Sequence, residues 1–493
     1  MEKIQPNIKP DNPLGHESIN KLILKYSAPA IVGMMVASLY NFIDRIFIGN
    51  SPDLGADGLA GITIGFPLMV ILMAFGFLFG VGGSTLFSIK LGEGREKDAE
   101  KALGNAFMML IVFGFLYSLI GQIFLRPLVI LFGASERVMP FTMEYMRIIF
   151  FGSIFQIGSL GMNNFVRADG SPKIAMLTMM IGAIINIILD PIFIFGLNMG
   201  MTGAALATVI AQGISFFWIV MYFRGKRSTH KIRLKHMIPD LPMISSISKL
   251  GLPGFLLQLV NSVLITFLNR SLLFYGGDIA ISGMGIINSL QMMFLLPVIG
   301  VKQGIVPIIS FNFGAGQYDR VKQTAKLASI YATLITVISY GIIILFPTQL
   351  ISMFNQSPDL VAFGSHAVVR WFMFMPLVGF QIIGSNYFQA IGQYRSAMFL
   401  TLTRQLIVLI PAILVFPLFW GLNGLLYAAP FADFCATVMT GIWFYRSMKT
   451  LGRRVTDPVG AGTRSPLPGS KAAAIPGTVQ NSGLRRLLIR LKG

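Results

Sequence analysis

The sequence predicts an all-α polytopic membrane protein: twelve transmembrane helices in two six-helix lobes, related by a pseudo-two-fold axis along the membrane normal. Three observations carry this. The 493 residues are 54% hydrophobic and only 12% charged, whereas soluble domains carry about 25% charged residues. Apolar runs of 20 or more residues recur from end to end, each long enough to cross a bilayer. Segments of the first half also return, in the same order, in the second. Lipid gives backbone groups no hydrogen-bond partner, so spanning segments must be helices or a closed barrel. The runs are continuous and lack ten-residue alternation, which selects helices.

Taken in chain order, apolar runs and their breakers place spans near 22–48, 59–90, 102–132, 138–166, 173–196 and 200–224. A second set follows near 247–274, 281–312, 319–353, 360–390, 396–419 and 422–446. The connections alternate in charge. One set holds Lys21 and Lys25, then Arg95, Lys97 and Lys101, then Arg167 and Lys173, the basic run from Arg224 to Lys235, then Arg320, Lys322 and Lys326, and Arg395. The other set is nearly free of Lys and Arg and holds Asp53, Asp57, Glu136, Asp278 and Asp359. Lys and Arg collect on the cytoplasmic side. Both termini are therefore expected in the cytoplasm, in a multi-pass protein of the cell inner (cytoplasmic) membrane. The net charge of +19 then serves topology and contact with anionic membrane lipids, and no nucleic-acid partner is expected. The first 20 residues are polar and no cleavable signal is expected.

The expected organisation is a cytoplasmic N-terminal segment (1–20), an N-lobe (21–224), an interlobe loop (225–244), a C-lobe (245–448) and a basic, disordered tail (449–493). The lobes show the repeat. KLGEGREKDAEKAL at 90–103 matches NFGAGQYDRVKQTAKL at 312–327, VRADGSPKIAML at 166–177 matches FQAIGQYRSAMF at 388–399, and TGAALAT at 202–208 matches NGLLYAA at 423–429. Two lobes that start and end on the same side form a parallel repeat, an arrangement common in secondary transporters.

A carboxylate in a span costs about 2.5–3.5 kcal/mol on insertion scales and persists where it meets a partner or a wet cavity. Asp190, in NIILDPIFIFG, lies six residues before Gly196, about 9 Å from the outer end of its span. Asp44, in YNFIDRIFIG, lies about 8 Å from the outer end of span 1, and Thr208 about 12 Å down span 6. The three share a depth. Asn186 stands four residues before Asp190, Tyr40 four before Asp44 and Ala204 four before Thr208, each on the same helix face as its partner. The Thr208 hydroxyl is expected to bond back to the Ala204 carbonyl. Two carboxylates, an amide, a hydroxyl and a carbonyl are hard oxygen ligands suited to H⁺ or a hard cation such as Na⁺. Two neighbouring carboxylates resist double ionisation, so the pair can hold a proton. Structural alternatives stand beside this: Asp190 before Pro191 as a cap, and Asp44 simply paired with Arg45. Lys302, deep in span 8, either faces the cavity and compensates a carboxylate or snorkels; Asp433 is a second candidate proton carrier. The one cysteine, Cys435, rules out an internal disulfide or a cysteine metal cluster.

The twelve spans, the Gly-x-Gly connector after span 2 and the NIILDP…GAALAT pair resemble the multidrug and toxic compound extrusion (MATE) family, in its DinF/MepA-type bacterial branch, over roughly residues 20–448. The resemblance implies that Asp44, Asn186, Asp190 and Thr208 form an N-lobe cation site. It implies that Tyr40, Tyr145 and Asn163 line the adjacent cavity. It implies export of amphipathic, mostly cationic compounds. The oxygen ligands make H⁺ or Na⁺ the expected coupling ion, with no other cofactor, and a monomer is expected because each twelve-span chain could contain a whole pathway. At the repeat offset Pro411 stands opposite Asp190, Ile407 opposite Asn186 and Ala429 opposite Thr208, so coupling is expected in one lobe only. The rival reading is a flippase for a lipid-linked precursor. Enzymes are not expected: the four histidines form no HExxH, and neither a GxSxG nor a phosphate-binding loop occurs.

Overall fold

The computed structural model describes residues 12–51, 54–354 and 356–452. The basic tail beyond 452, most of the N-terminal segment, and Asp53 lie outside the described residues.

The described chain is almost entirely helical. Spans 1 to 3 are Ile19–Gly49, Asp57–Gly92 and Glu96–Ile123, and spans 5 to 9 are Pro172–Gly196, Gly200–Arg224, Leu241–Gly277, Ile279–Gly314 and Tyr318–Leu345. Span 4 is a bent pair, Met139–Phe151 and Ser153–Ala168, turned by 57°; span 10 is its counterpart, Pro358–Trp371 and Met375–Ala390, turned by 48°. Tyr394–Thr450 runs as one helix of 57 residues, broken at Gly421 by a φ of 54°, and so supplies spans 11 and 12. The expected third and ninth spans are too long by a short helix each. Span 3 stops at Ile123 and Leu125–Leu131 follows separately; span 9 stops at Leu345 and Pro347–Ser352 follows. Pro127 and Pro347 each lack the N–H that would continue the ladder.

The repeat is written in the backbone. Left-handed glycines recur in pairs at one fixed offset: Gly55 with Gly277, Gly94 with Gly316, and Gly170 with Gly392. Gly200 and Gly421 continue the series with the offset shortened by a single position. Each pair fixes a sharp turn that an L side chain rarely adopts.

The buried core divides unevenly. At the end of the bundle away from the termini there are two separate clusters. One is built from residues 48–205, including Ile48, Met146 and Met201; the other from residues 268–432, including Leu272, Ile287 and Leu425. At the end bearing the basic connections each cluster draws on both halves. Leu22, Ile23 and Tyr26 of span 1 pack with Val301, Ile305 and Ile308 of span 8, and Ile247 and Leu250 of span 7 pack with Phe79 and Phe87 of span 2. Glycines let the backbones meet there. A methyl group on Gly92 would overlap the Phe311 carbonyl, and one on Gly314 the Ile89 carbonyl; Gly82 abuts Ile247 and Gly304 abuts Ser27 in the same paired fashion. The basic end is therefore closed, and the halves have separate cores at the other.

Two lead-in segments strengthen that closure, and each crosses to the other half. Before span 1, the Leu14 carbonyl accepts from Asn312 Nδ2 (3.0 Å) and from Arg320 Nη2 (3.0 Å), and Arg320 also reaches the Glu17 carbonyl at 2.7 Å. Before span 7, Asn105 Nδ2 of span 3 donates to the His236 carbonyl (3.0 Å) and Asn105 Oδ1 accepts from the Asp240 N–H (2.9 Å). The interlobe loop is pinned further where Asp169 receives His230 Nδ1 at 2.6 Å, the Tyr222 hydroxyl at 2.7 Å and the Ser228 hydroxyl at 2.8 Å.

Candidate functional site

The site forms where spans 1, 5 and 6 and the first limb of span 4 converge, inside the half made of residues 19–224. Span 5 brings Asn186 and Asp190 to one face because they are four residues apart. Pro191 follows and cannot donate to the carbonyl four residues back. The helix then widens into a π turn over Ile192–Gly196, a local irregularity that recurs at functional positions.

The side chains are buried: Asp190 is 0% exposed, Asn186 1%, Asp44 8% and Thr208 8%. Asn186 Nδ2 donates to Asp190 Oδ1 at 3.3 Å and to Thr208 Oγ1 at 3.4 Å. The Asp44 and Asp190 carboxyl groups lie within reach of each other. Tyr145 reaches the Thr208 hydroxyl and stands close to both carboxyl groups, as does Tyr40. Three oxygens remain unused: Asp44 Oδ1, Asn186 Oδ1 and Asp190 Oδ2 are buried and have no hydrogen-bond partner among the described residues. Buried acceptors without partners are costly and rare. A proton shared between the carboxyls, or a small hard cation, would satisfy them.

Several expectations meet the geometry differently. Arg45 is exposed and makes no ion pair with Asp44 among the described residues, because adjacent helical residues face different ways. Thr208 does not bond back to the Ala204 carbonyl; its hydroxyl is engaged by Asn186 and Tyr145, and Ala204 is packed in the core. Tyr145 and Asn163 part company. Tyr145 is on the first limb of span 4 with the carboxyls, whereas Asn163 lies beyond the bend. There Asn163 donates to the Ala175 carbonyl at 2.8 Å and accepts from Arg167 Nη1 at 2.5 Å. Lys302 is half-buried and has no hydrogen bond or ion pair among the described residues. Its neighbours Gly300 and Gly304 rest on Ile31 and Ser27 of span 1, and Ile31 is about 20 Å along the helix from Asp44. Lys302 therefore does not compensate either carboxylate. Asp433 is paired: Arg404 on span 11 donates to its Oδ1.

One neighbour goes beyond the expected set. Gln212 is one turn beyond Thr208; its side chain meets Tyr40, and its Oε1 accepts from the Ser159 hydroxyl at 2.8 Å. Its four-residue spacing from Thr208 is the signal the sequence offers for it.

A twelve-span bundle of two parallel repeats, closed at one end, with unsatisfied buried carboxyls in one half, defines a secondary-transporter architecture. The family model described as MatE matches residues 29–192 and again 253–414, once per half, and the chain belongs to that family. It is similar to the multidrug export protein MepA of Staphylococcus haemolyticus, 30% identical over 416 residues, 84% of this chain and 91% of that protein. The MepA of Staphylococcus aureus is 28% identical over 84% of this chain and 90% of its own length. Among solved structures, a MOP superfamily transporter from Pyrococcus furiosus aligns with a TM-score of 0.84 at 24% identity, covering 89% of this chain and 98% of that one. A multidrug resistance MATE family transporter in an outward-facing conformation aligns equally well, with a TM-score of 0.84, 24% identity and the same coverage.

Proposed function

We propose that this protein is a cation-coupled multidrug antiporter of the inner membrane that exports amphipathic, mostly cationic compounds by alternating access. The observation that carries the reading is the set of unpartnered buried oxygens on Asp44, Asn186 and Asp190. With the basic connections and both described chain ends in the cytoplasm, closure at that end makes this the outward-facing state. A proton or Na⁺ entering from outside would fill the oxygens, draw span 1 toward span 5 and favour the state that releases substrate. Its return to the cytoplasm would reset the cycle. Such coupling requires the ion to bind the two states with different affinity, and groups whose satisfaction depends on a mobile helix supply that difference. The resemblance to MepA proteins supports the multidrug assignment, and the separate outer cores leave room for a cleft between the halves.

The test uses purified protein in liposomes and a fluorescent cationic dye. Dye movement under an imposed proton gradient without sodium, lost in Asp190→Asn, is the expected result for proton coupling. Movement only when sodium is supplied assigns the same oxygens to Na⁺. No movement under either gradient overturns the reading.

A further inference from the structure

A cavity of about 720 Å³ opens at the basic end between the start of span 9 and the end of span 12, far from the carboxyl cluster. Tyr318, Met448 and Leu451 give it an apolar side; Gln317, Lys322 and Lys449 give it donors. Arg320 and Asp319 complete the charged lining. Arg320 is already spent on Asn312 and the Leu14 and Glu17 carbonyls. Lys322 and Lys449 have no hydrogen bond or ion pair among the described residues, and the Gln317 side-chain amide likewise donates to nothing there. Of the first-turn N–H groups of span 9, Tyr318 and Val321 donate to the Gly316 and Gln317 carbonyls, while those of Asp319 and Arg320, without intrahelical partners, lie at the same place.

The other half shows that this is not how such a turn must look. There the matching Gly94 turn carries Arg95, which pairs with Asp98 at 2.5 Å and with Glu93 at 3.3 Å, while Lys90 takes Glu93 at 2.8 Å. The two cations nearest that glycine, Lys90 and Arg95, are neutralised within the protein; Lys97, further along, has no ion pair among the described residues. At the offset that relates Gly94 to Gly316, the counterpart of Lys322 is an acid, Glu100. Of the two turns, the one before span 9 sets free ammonium groups over a hollow with one apolar wall. The chain beyond 452 carries eight Lys or Arg against Asp457, so its charge does not complement the cavity.

We propose that this cavity binds the phosphodiester headgroup of an anionic phospholipid, with Lys322 and Lys449 on the phosphate and Tyr318, Met448 and Leu451 against the glycerol and upper acyl chains. Basic pockets between spans on the cytoplasmic side suit such headgroups, and the apolar wall favours a lipid over a free anion.

The test is native mass spectrometry of the purified full chain in detergent, titrated separately with phosphatidylglycerol, phosphatidylcholine and inorganic phosphate. Lys322→Gln/Lys449→Gln is compared with Lys97→Gln/Lys226→Gln, which removes equal charge from the same end. The proposal expects tight retention of phosphatidylglycerol over phosphatidylcholine. It expects roughly a tenfold or greater loss of affinity in the first variant, as two membrane-surface cations contribute, and wild-type behaviour in the second. Equal loss in both variants would reduce the effect to general surface potential and overturn the site. No loss in either would do the same. Competition by millimolar inorganic phosphate alone would assign the cavity to free phosphate and overturn the lipid.

Discussion

The two halves share a backbone and differ in what they bury. Their left-handed glycines keep step, Gly55 with Gly277 through to Gly200 with Gly421, and both bend their fourth span. Yet the first half holds buried oxygens without partners on Asp44, Asn186 and Asp190. The second half holds a buried ion pair, Arg404 with Asp433, each nearly enclosed at 14% and 5% side-chain exposure. At the offset that relates Gly200 to Gly421, Asp433 is the counterpart of Gln212. The second half thus places a charge where the first has a neutral amide, and a neutral residue where the first has a charge. An internally satisfied pair asks for nothing from outside; an unsatisfied cluster does. The fold constrains the repeat while the polar content differs: among the described residues, buried carboxylate oxygens without partners occur in the first half alone.

The widest test of that contrast exchanges one carboxylate in each half for its amide. In Asp190→Asn, ion-driven dye transport should fall to background while the protein remains folded, since the amide fits the same buried space. In Asp433→Asn transport should survive in the fraction that folds, but Arg404 is left as a buried, unpaired cation. Removing one partner of a buried pair costs about 3–5 kcal/mol, which should register as a large drop in melting temperature. Removing both charges, in Arg404→Met/Asp433→Leu, should recover most of it. A second half that lost coupling without losing stability would break the comparison.

The next effect concerns the end at which the halves do meet. Gly92 lies against the Phe311 carbonyl, and Gly92→Val would force the basic end apart. Ser27, 3% exposed, should then become accessible. With Cys435 replaced by alanine, Ser27→Cys should react slowly with an impermeant maleimide in the parent and rapidly in the Gly92→Val background. A smaller effect belongs to Gln212. Its loss removes a partner of Tyr40 and Ser159, a hydrogen-bond deficit of about 1–1.5 kcal/mol. Transport by Gln212→Ala should therefore fall by about tenfold, measured as initial dye flux, with the coupling ion unchanged.

What can be read from the chain follows the cost of each group. Asp44 and Asp190 are legible because a carboxylate in an apolar run is expensive enough to demand a reason; Asn186 and Thr208 follow from helical spacing. Gln212 escapes notice because an amide in a span is cheaper and commoner. Asn163 misleads because its neighbour in space is Arg167, four residues on, and the 57° bend of span 4 carries both away from Tyr145. The crossing lead-in segments are illegible for a different reason. They are held through the carbonyls of Leu14 and His236, which every residue possesses, so no side-chain pattern announces them.

Those two segments supply the finest version of the comparison. The one before span 1 is held by Arg320, whose charge does not change in the accessible pH range. The one before span 7 carries His236, whose ring is 3.6 Å from Glu100. Burial pushes its pKa below the ordinary value of about 6.5, outweighing Glu100, which pulls it up, while Lys235, Arg233 and Lys101 push it further down. The seated loop therefore prefers the neutral ring. The released loop binds the proton more readily, so the neutral ring's contribution to attachment is full well above about pH 6.5 and weakens as pH falls through that value toward the lower seated pKa. Hydrogen exchange of residues 232–240 should quicken at pH 5.5 relative to pH 7.5, after correction for intrinsic rates. Residues 13–17 should show no such change, and His236→Gln should remove most of the difference. Equal acid sensitivity in both segments would mean that the halves are fastened alike, and that the difference between them is confined to the carboxyl site.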